Sequence, residues 1–100
     1  MTITNNNMNN ITNEIYKTYN DAFNDIIIEY ILEEDANLND IINKIKFYIN
    51  YFISDEYNKE LINKDLLNNI INNFNKIEFE LLANIYLNRA NKKYNIIINN

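Results

Sequence analysis

The sequence predicts an all-α fold, a compact helical bundle of three to four helices closed within one chain or across a dimer. Three observations carry this. Apolar residues recur at three- and four-residue spacing along most of the chain. Gly and Pro are both absent, which removes the tight turns that an all-β fold needs. One hundred residues make one domain, large enough to bury a core without disulfides or metals.

Residues 1–9 are polar and Asn-rich and are expected to be a disordered tail; residues 10–100 form the single helical domain. The first helix is expected over residues 11–34, capped by Asn10 or Thr12, with Glu14 in its first turn. Ile11, Ile15, Tyr19, Phe23, Ile26 and Tyr30 trace its apolar line, with Tyr16, Ala22 and Ile27 beside them. Within it, Phe23, Ile26, Ile27 and Tyr30 are expected in the core.

Asp35-Ala36-Asn37 is the first break. Asn37 suits a helix N-cap, and Asp40 stands three residues later, where an acid can answer it reciprocally. The second helix follows through Leu38, Ile41, Ile42, Ile45, Ile49 and Phe52. The stretch 45–53 is also rich in β-branched and aromatic residues, so a strand competes there; continuity with the preceding spacing favours the helix. Phe47 and Tyr51 fall off the seam.

Ser54 can cap a further helix, with Asp55 and Glu56 in its first turn and Tyr57, Leu61 and Ile62 as its buried side. Asn63 is a second candidate break. From Leu66 the spacing through Leu67, Ile70, Phe74, Ile77, Leu81 and Ile85 predicts one long helix over about residues 65–93. From Phe79 a second apolar side appears, made by Phe79, Ala83 and Tyr86, which neighbours or a second chain must enclose. These three are the candidate self-association residues. Arg89, Lys92 and Lys93 suit the negative end of that helix. Without Gly, the left-handed positions that end helices are expected to fall to Asn.

Asn and Ile dominate, with 25 and 20 copies, and one Arg is present. Asn, Ile, Tyr, Lys and Phe share AT-rich codons, so the composition points to an AT-biased genome, such as that of a low-GC bacterium, a phage or a virus. On that reading most Asn side chains are solvated filler. The net charge is −5, and residues 1–50 hold all of it. Between Asp21 and Asp40 stand seven acids and no base. Such a region repels nucleic acid and anionic membranes and attracts cationic partners. The N-terminal residues show no signal-peptide pattern and no apolar run is long enough for a membrane span, so a soluble, intracellular protein is expected.

Cys and His are absent, which removes thiol and imidazole nucleophile systems and the usual zinc ligands. Without Gly there is no phosphate-cradling loop. No enzyme activity, cofactor or metal is expected. Asp35-x-Asn37-x-Asn39 copies the start of a calcium-binding EF-hand loop, but Asp40 stands at the Gly position and Lys46 at the bidentate Glu. The cluster Arg89, Lys92, Lys93 is too small to hold nucleic acid on an acidic chain.

What remains is a row on the first helix. Asp21, Asp25, Glu29 and Glu33 succeed one another at four-residue spacing and span about 18 Å. No base is interleaved, whereas a solvated helix face usually mixes signs. Ile28 and Leu32 border the row. Acids edged by apolar residues suit a basic, partly apolar protein partner. Phe47, Tyr51 and Phe79 are the best aromatic candidates for interface anchors. The expected function is a non-catalytic protein-binding protein, a small acidic inhibitor or adaptor encoded by a phage or virus. It would occupy the basic surface of a host protein that handles nucleic acid. The alternative is a homodimeric structural protein.

Two stretches resemble known families. Residues 42–52, INKIKFYINYF, are similar in their apolar-aromatic texture to one helix of the bacteriocin immunity proteins of the pediocin group, which implies a helical bundle of this length. Residues 79–95, FELLANIYLNRANKKYN, resemble one tetratricopeptide helix, without a second copy to make an array.

Overall fold

The computed structural model describes residues 8–59 and 64–99, with side chains at 8–55 and 64–94. Four α-helices follow one another: α1 (Asn10–Glu34), α2 (Leu38–Lys59), α3 (Lys64–Asn72) and α4 (Phe79–Asn99). A short 3-10 turn, Phe74–Lys76, joins α3 to α4. Among the described residues there is no strand, so 45–53 is helix. No described helix is long and apolar enough to cross a membrane.

α1 starts one step earlier than expected. Asn9 is the N-cap, its Oδ1 accepting from the Thr12 N–H at 3.0 Å. Thr12 does not cap the helix. Its side chain is fully buried, and its Oγ1 accepts the Glu78 N–H at 2.9 Å. Asn9 reaches the same place, donating its N–H to Glu78 Oε1 at 2.7 Å and its Nδ2 to the Lys76 carbonyl at 2.8 Å. Met8 packs on the core. Of the expected disordered tail, residues 1–7 lie outside the described residues, while Met8 and Asn9 belong to the folded domain.

The core line of α1 is Ile11, Ile15, Tyr19, Phe23, Ile27 and Ile31, all buried. Each follows the last by four residues, so the line advances about 40° per step and turns through about 200° over the helix. That winding corrects two core assignments. Ile26 and Tyr30 are only half-buried, and Ile31 takes the inner position.

α1 ends at Asp35, which takes the left-handed conformation (φ 51°, ψ 47°) and donates its N–H to the Ile31 carbonyl. The position expected for Asn therefore falls to Asp, whose short polar side chain also tolerates this region. The expected cap of α2 is present. Asn37 Oδ1 accepts the Asp40 N–H at 2.8 Å, and Asp40 Oδ2 accepts the Asn37 N–H at 3.2 Å. The Asn37 oxygen, one of those that imitate an EF-hand loop, is taken up by this cap.

α2 buries Ile41, Ile45 and Ile49 and folds back on α1, with Phe52 stacked on Tyr19 at 5.0 Å. It runs through Ser54 without a break. Ser54 does not cap a new helix, because the preceding turn is already helical and Phe52 and Ile53 pack against the core on that turn. The expected buried side at Tyr57, Leu61 and Ile62, and the break at Asn63, lie outside the described side chains.

The expected long helix over 65–93 is two helices. Asn73 folds its side chain back, donating Nδ2 to the Asn69 carbonyl at 2.9 Å and to Asn69 Oδ1 at 2.7 Å. Such local bonds compete with helix propagation. The chain then tightens, with Lys76 N–H on the Asn73 carbonyl and Ile77 N–H on that of Phe74. At Glu78 it is fixed by Thr12 before α4 begins.

α4 packs on α1 and α2 through Leu82, Ala83, Tyr86 and Ala90, all fully buried. The small Ala83 and Ala90 let the helix approach closely, and Tyr86 fills the space between, meeting Phe23 edge-on at 5.8 Å. The pairs Thr12–Glu78, Asn20–Tyr86 and Asn24–Arg89 are separated by 66, 66 and 65 residues. α1 and α4 therefore run parallel in one register, and α2 runs antiparallel to α1.

Candidate functional site

The outer surface of α1 carries the acidic row. Asp21, Asp25, Glu29 and Glu33 are all exposed. The row belongs to the C-terminal two-thirds of the helix, and α1 has no base in its last turn. Of the row only Glu33 lies in the last turn, where it and Glu34 oppose the helix dipole, whose C-terminal end is already negative. Glu33 feels this crowding. A hydrogen bond with Glu29, and then the Glu29 charge, hold its carboxyl above the usual range, with smaller contributions from desolvation and Glu34.

The winding core line leaves an apolar flank on each side of the row. Towards α2, a groove of about 490 Å³ is lined by Ile26, Glu29, Tyr30, Glu33, Glu34, Lys44 and Tyr48. Towards α4, a second groove is lined by Asn24, Asp25, Glu29, Leu32, Glu33 and Lys93. Glu29 and Glu33 are the ridge between them. Of the two apolar residues expected to border the row, Leu32 lines the α4 groove. Both Leu32 and Ile28 are half-buried and packed on the core, so less of each is offered to a partner than their spacing implied.

A cation already rests in the α2 groove. Lys44 Nζ sits 4.6 Å from the Tyr30 ring centroid, 5.8 Å from Phe47 and 6.0 Å from Tyr48. Phe47 and Tyr51, the off-seam aromatics of α2, are 59% and 55% exposed. They continue the aromatic surface along α2, whereas Phe79 is half-buried against Phe74 and Lys46.

The residues expected to self-associate are placed differently. Ala83 and Tyr86 are fully buried within the single chain, so α1 and α2 supply the enclosure that a second chain was invoked for, and only Phe79 keeps a partial surface. The basic cluster also changes meaning. α4 continues to Asn99, so Arg89, Lys92 and Lys93 do not lie in its last turn. Arg89 turns inward. Its Nη1 donates to Asn20 Oδ1 at 2.9 Å and Asn24 Oδ1 at 2.7 Å, and its Nη2 to the Tyr16 hydroxyl at 2.7 Å. The guanidinium carbon lies 5.3 Å from the Tyr86 ring centroid and 5.8 Å from that of Tyr16. Arg89 is a tie between α1 and α4, not a phosphate ligand.

Among the described residues no group of three or more acids converges as a metal site. Comparison with protein-family models, with curated proteins and with solved structures finds no significant match to this chain. The molecule is defined by its own geometry: a helical bundle with an acidic ridge flanked by two grooves, one of them walled by aromatic rings.

Proposed function

We propose that this is a non-catalytic protein-binding protein whose acidic ridge occupies a basic surface on a protein that handles nucleic acid. The observation that carries the reading is the ridge itself. Asp21, Asp25, Glu29 and Glu33 are exposed on one rigid helix, at a regular rise of about 6 Å. An array of negative charges at fixed spacing can stand in for a nucleic-acid backbone towards a cationic groove. The placement of Glu33 and Glu34 against the helix dipole adds support, since these acids work against the stability of α1. The composition, rich in residues with AT-rich codons, suits a phage or viral source for such an inhibitor or adaptor.

The test is capture of partners from a cell lysate on immobilised protein, followed by elution with duplex DNA. A protein retained by the wild type, released by DNA and lost on Asp25→Lys/Glu29→Lys supports the reading. Equal retention by both proteins overturns it.

A further inference from the structure

The α1–α2 groove holds a feature that the acidic ridge alone does not explain. Two of its rings, Tyr30 and Tyr48, face one ammonium, that of Lys44, and Phe47 meets the same ammonium from an adjoining hollow that it lines with Tyr30, Asp40 and Asn43. Opposite stand Glu29, Glu33 and Glu34 on the α1 side of the same groove. Ring faces and carboxylates together make a receptor for a cation. A guanidinium satisfies it better than an ammonium, because it stacks flat on a ring and presents a planar fork to paired carboxylates. Lys44 reaches this position from α2 itself. Its hold is that of a surface cation–π contact, which is weak and readily exchanged. Glu29 and Glu33 crowd one another, which holds the Glu33 carboxyl above its ordinary range, and a second cation in the groove would relieve that repulsion.

We infer that the α1–α2 groove is the anchor pocket for an arginine side chain on a basic segment of the protein partner, and that Lys44 fills it in the free protein and is displaced on binding. The inference rests on the acidic-ridge reading above and adds the position and chemistry of its central contact. The occupant follows from charge complementarity and from the internal cation that already marks the seat. The α4 groove also holds carboxylates and a lysine, Lys93, but no ring lines it, so nothing there offers a face for a guanidinium to stack on.

The probe is a fluorescent peptide of alternating arginine and alanine, titrated at moderate salt. Lys44→Met empties the pocket and is expected to tighten binding about two- to five-fold. Lys46→Met makes the same charge change beside Phe79, outside the groove, and is expected to have a smaller effect. Tyr30→Leu is expected to weaken binding by a similar factor, and Tyr30→Phe, which keeps the ring face and the fold, to preserve it. Asp21→Asn/Asp25→Asn, outside the groove, weakens binding equally with or without Lys44. If Lys44→Met matches Lys46→Met and Tyr30→Leu matches wild type while the Asp variants weaken binding, the anchor pocket is overturned and the ridge reading stands. If neither wild type nor Lys44→Met binds the peptide, both readings fall.

Discussion

Arg89 and Asn24 lie 65 residues apart in sequence and meet through a 2.7 Å hydrogen bond from Nη1 to Oδ1. The same nitrogen serves Asn20, and Nη2 serves Tyr16. The oxygens around this guanidinium belong to two amides and a phenol, so neutral dipoles balance its charge. Hydrogen bonds to a charged group contribute about 1.5–3 kcal/mol. Arg89→Met keeps the apolar stem and removes every donor. It is expected to lower unfolding free energy by about 2–3 kcal/mol in urea titrations. Arg89→Lys recovers only part, since one ammonium cannot reproduce the fork.

Thr12→Val is nearly isosteric but removes the acceptor for the Glu78 N–H. Thr12 is fully buried, so water does not replace the lost partner. The expected loss is about 1–3 kcal/mol, with faster hydrogen exchange at the Glu78 amide. Thr12→Ser keeps the oxygen and separates the bond from the packing of the methyl.

The Tyr86 hydroxyl donates to Asn20 Oδ1 at 2.9 Å. Burial pushes its pKa well above the ordinary 10.0; Arg89 pulls it partly back, and Tyr16 and Asp21 add to the rise. A raised folded pKa means that the contribution is complete below the unfolded value and disappears as pH climbs through the folded one. Stability is therefore expected to fall from about pH 10 upwards. Tyr86→Phe should lose about 1 kcal/mol at neutral pH and show a flatter alkaline limb in thermal melts.

Glu33 behaves in the same sense at the acid end. Its raised carboxyl pKa favours the protonated form in the fold, so its contribution is complete below 4.5 and is lost as pH rises through the folded value. Glu33→Gln is expected to melt higher than wild type at neutral pH. The difference should shrink as pH falls below 4.5. A constant difference across that range would show that Glu29 and Glu33 do not interact.

Short-range features are readable from the chain. Asn37 and Asp40 sit three apart, which is the whole geometry of the cap, and the acidic row needs only the four-residue repeat of a helix. The break at Asn73 is masked because Asn is so frequent that one more carries no signal, and because Ile70, Phe74, Ile77 and Leu81 keep helical spacing across it. Tyr30 reads as core because Phe23, Ile26 and Tyr30 are spaced as helically as Phe23, Ile27 and Ile31, and only packing against the other helices decides which line faces inward. Arg89 and Thr12 escape for a different reason: their partners lie 65 to 73 residues away. Asn20 and Asn24, expected as filler, are part of the same long-range network.

The parallel register of α1 and α4 also sets the order of events during synthesis. α1 leaves the ribosome before the other helices, yet Asn9, Thr12, Tyr16, Asn20 and Asn24 all find their tertiary hydrogen-bond partners between Lys76 and Arg89. A nascent chain that stops short of Phe79 can close the α1–α2 hairpin but leaves Phe23 without Tyr86. Loop closure across more than 60 residues must precede these contacts. The bundle is thus committed late, after α4 has been made, and a truncated product exposes the apolar surface that aggregation and proteolysis act on.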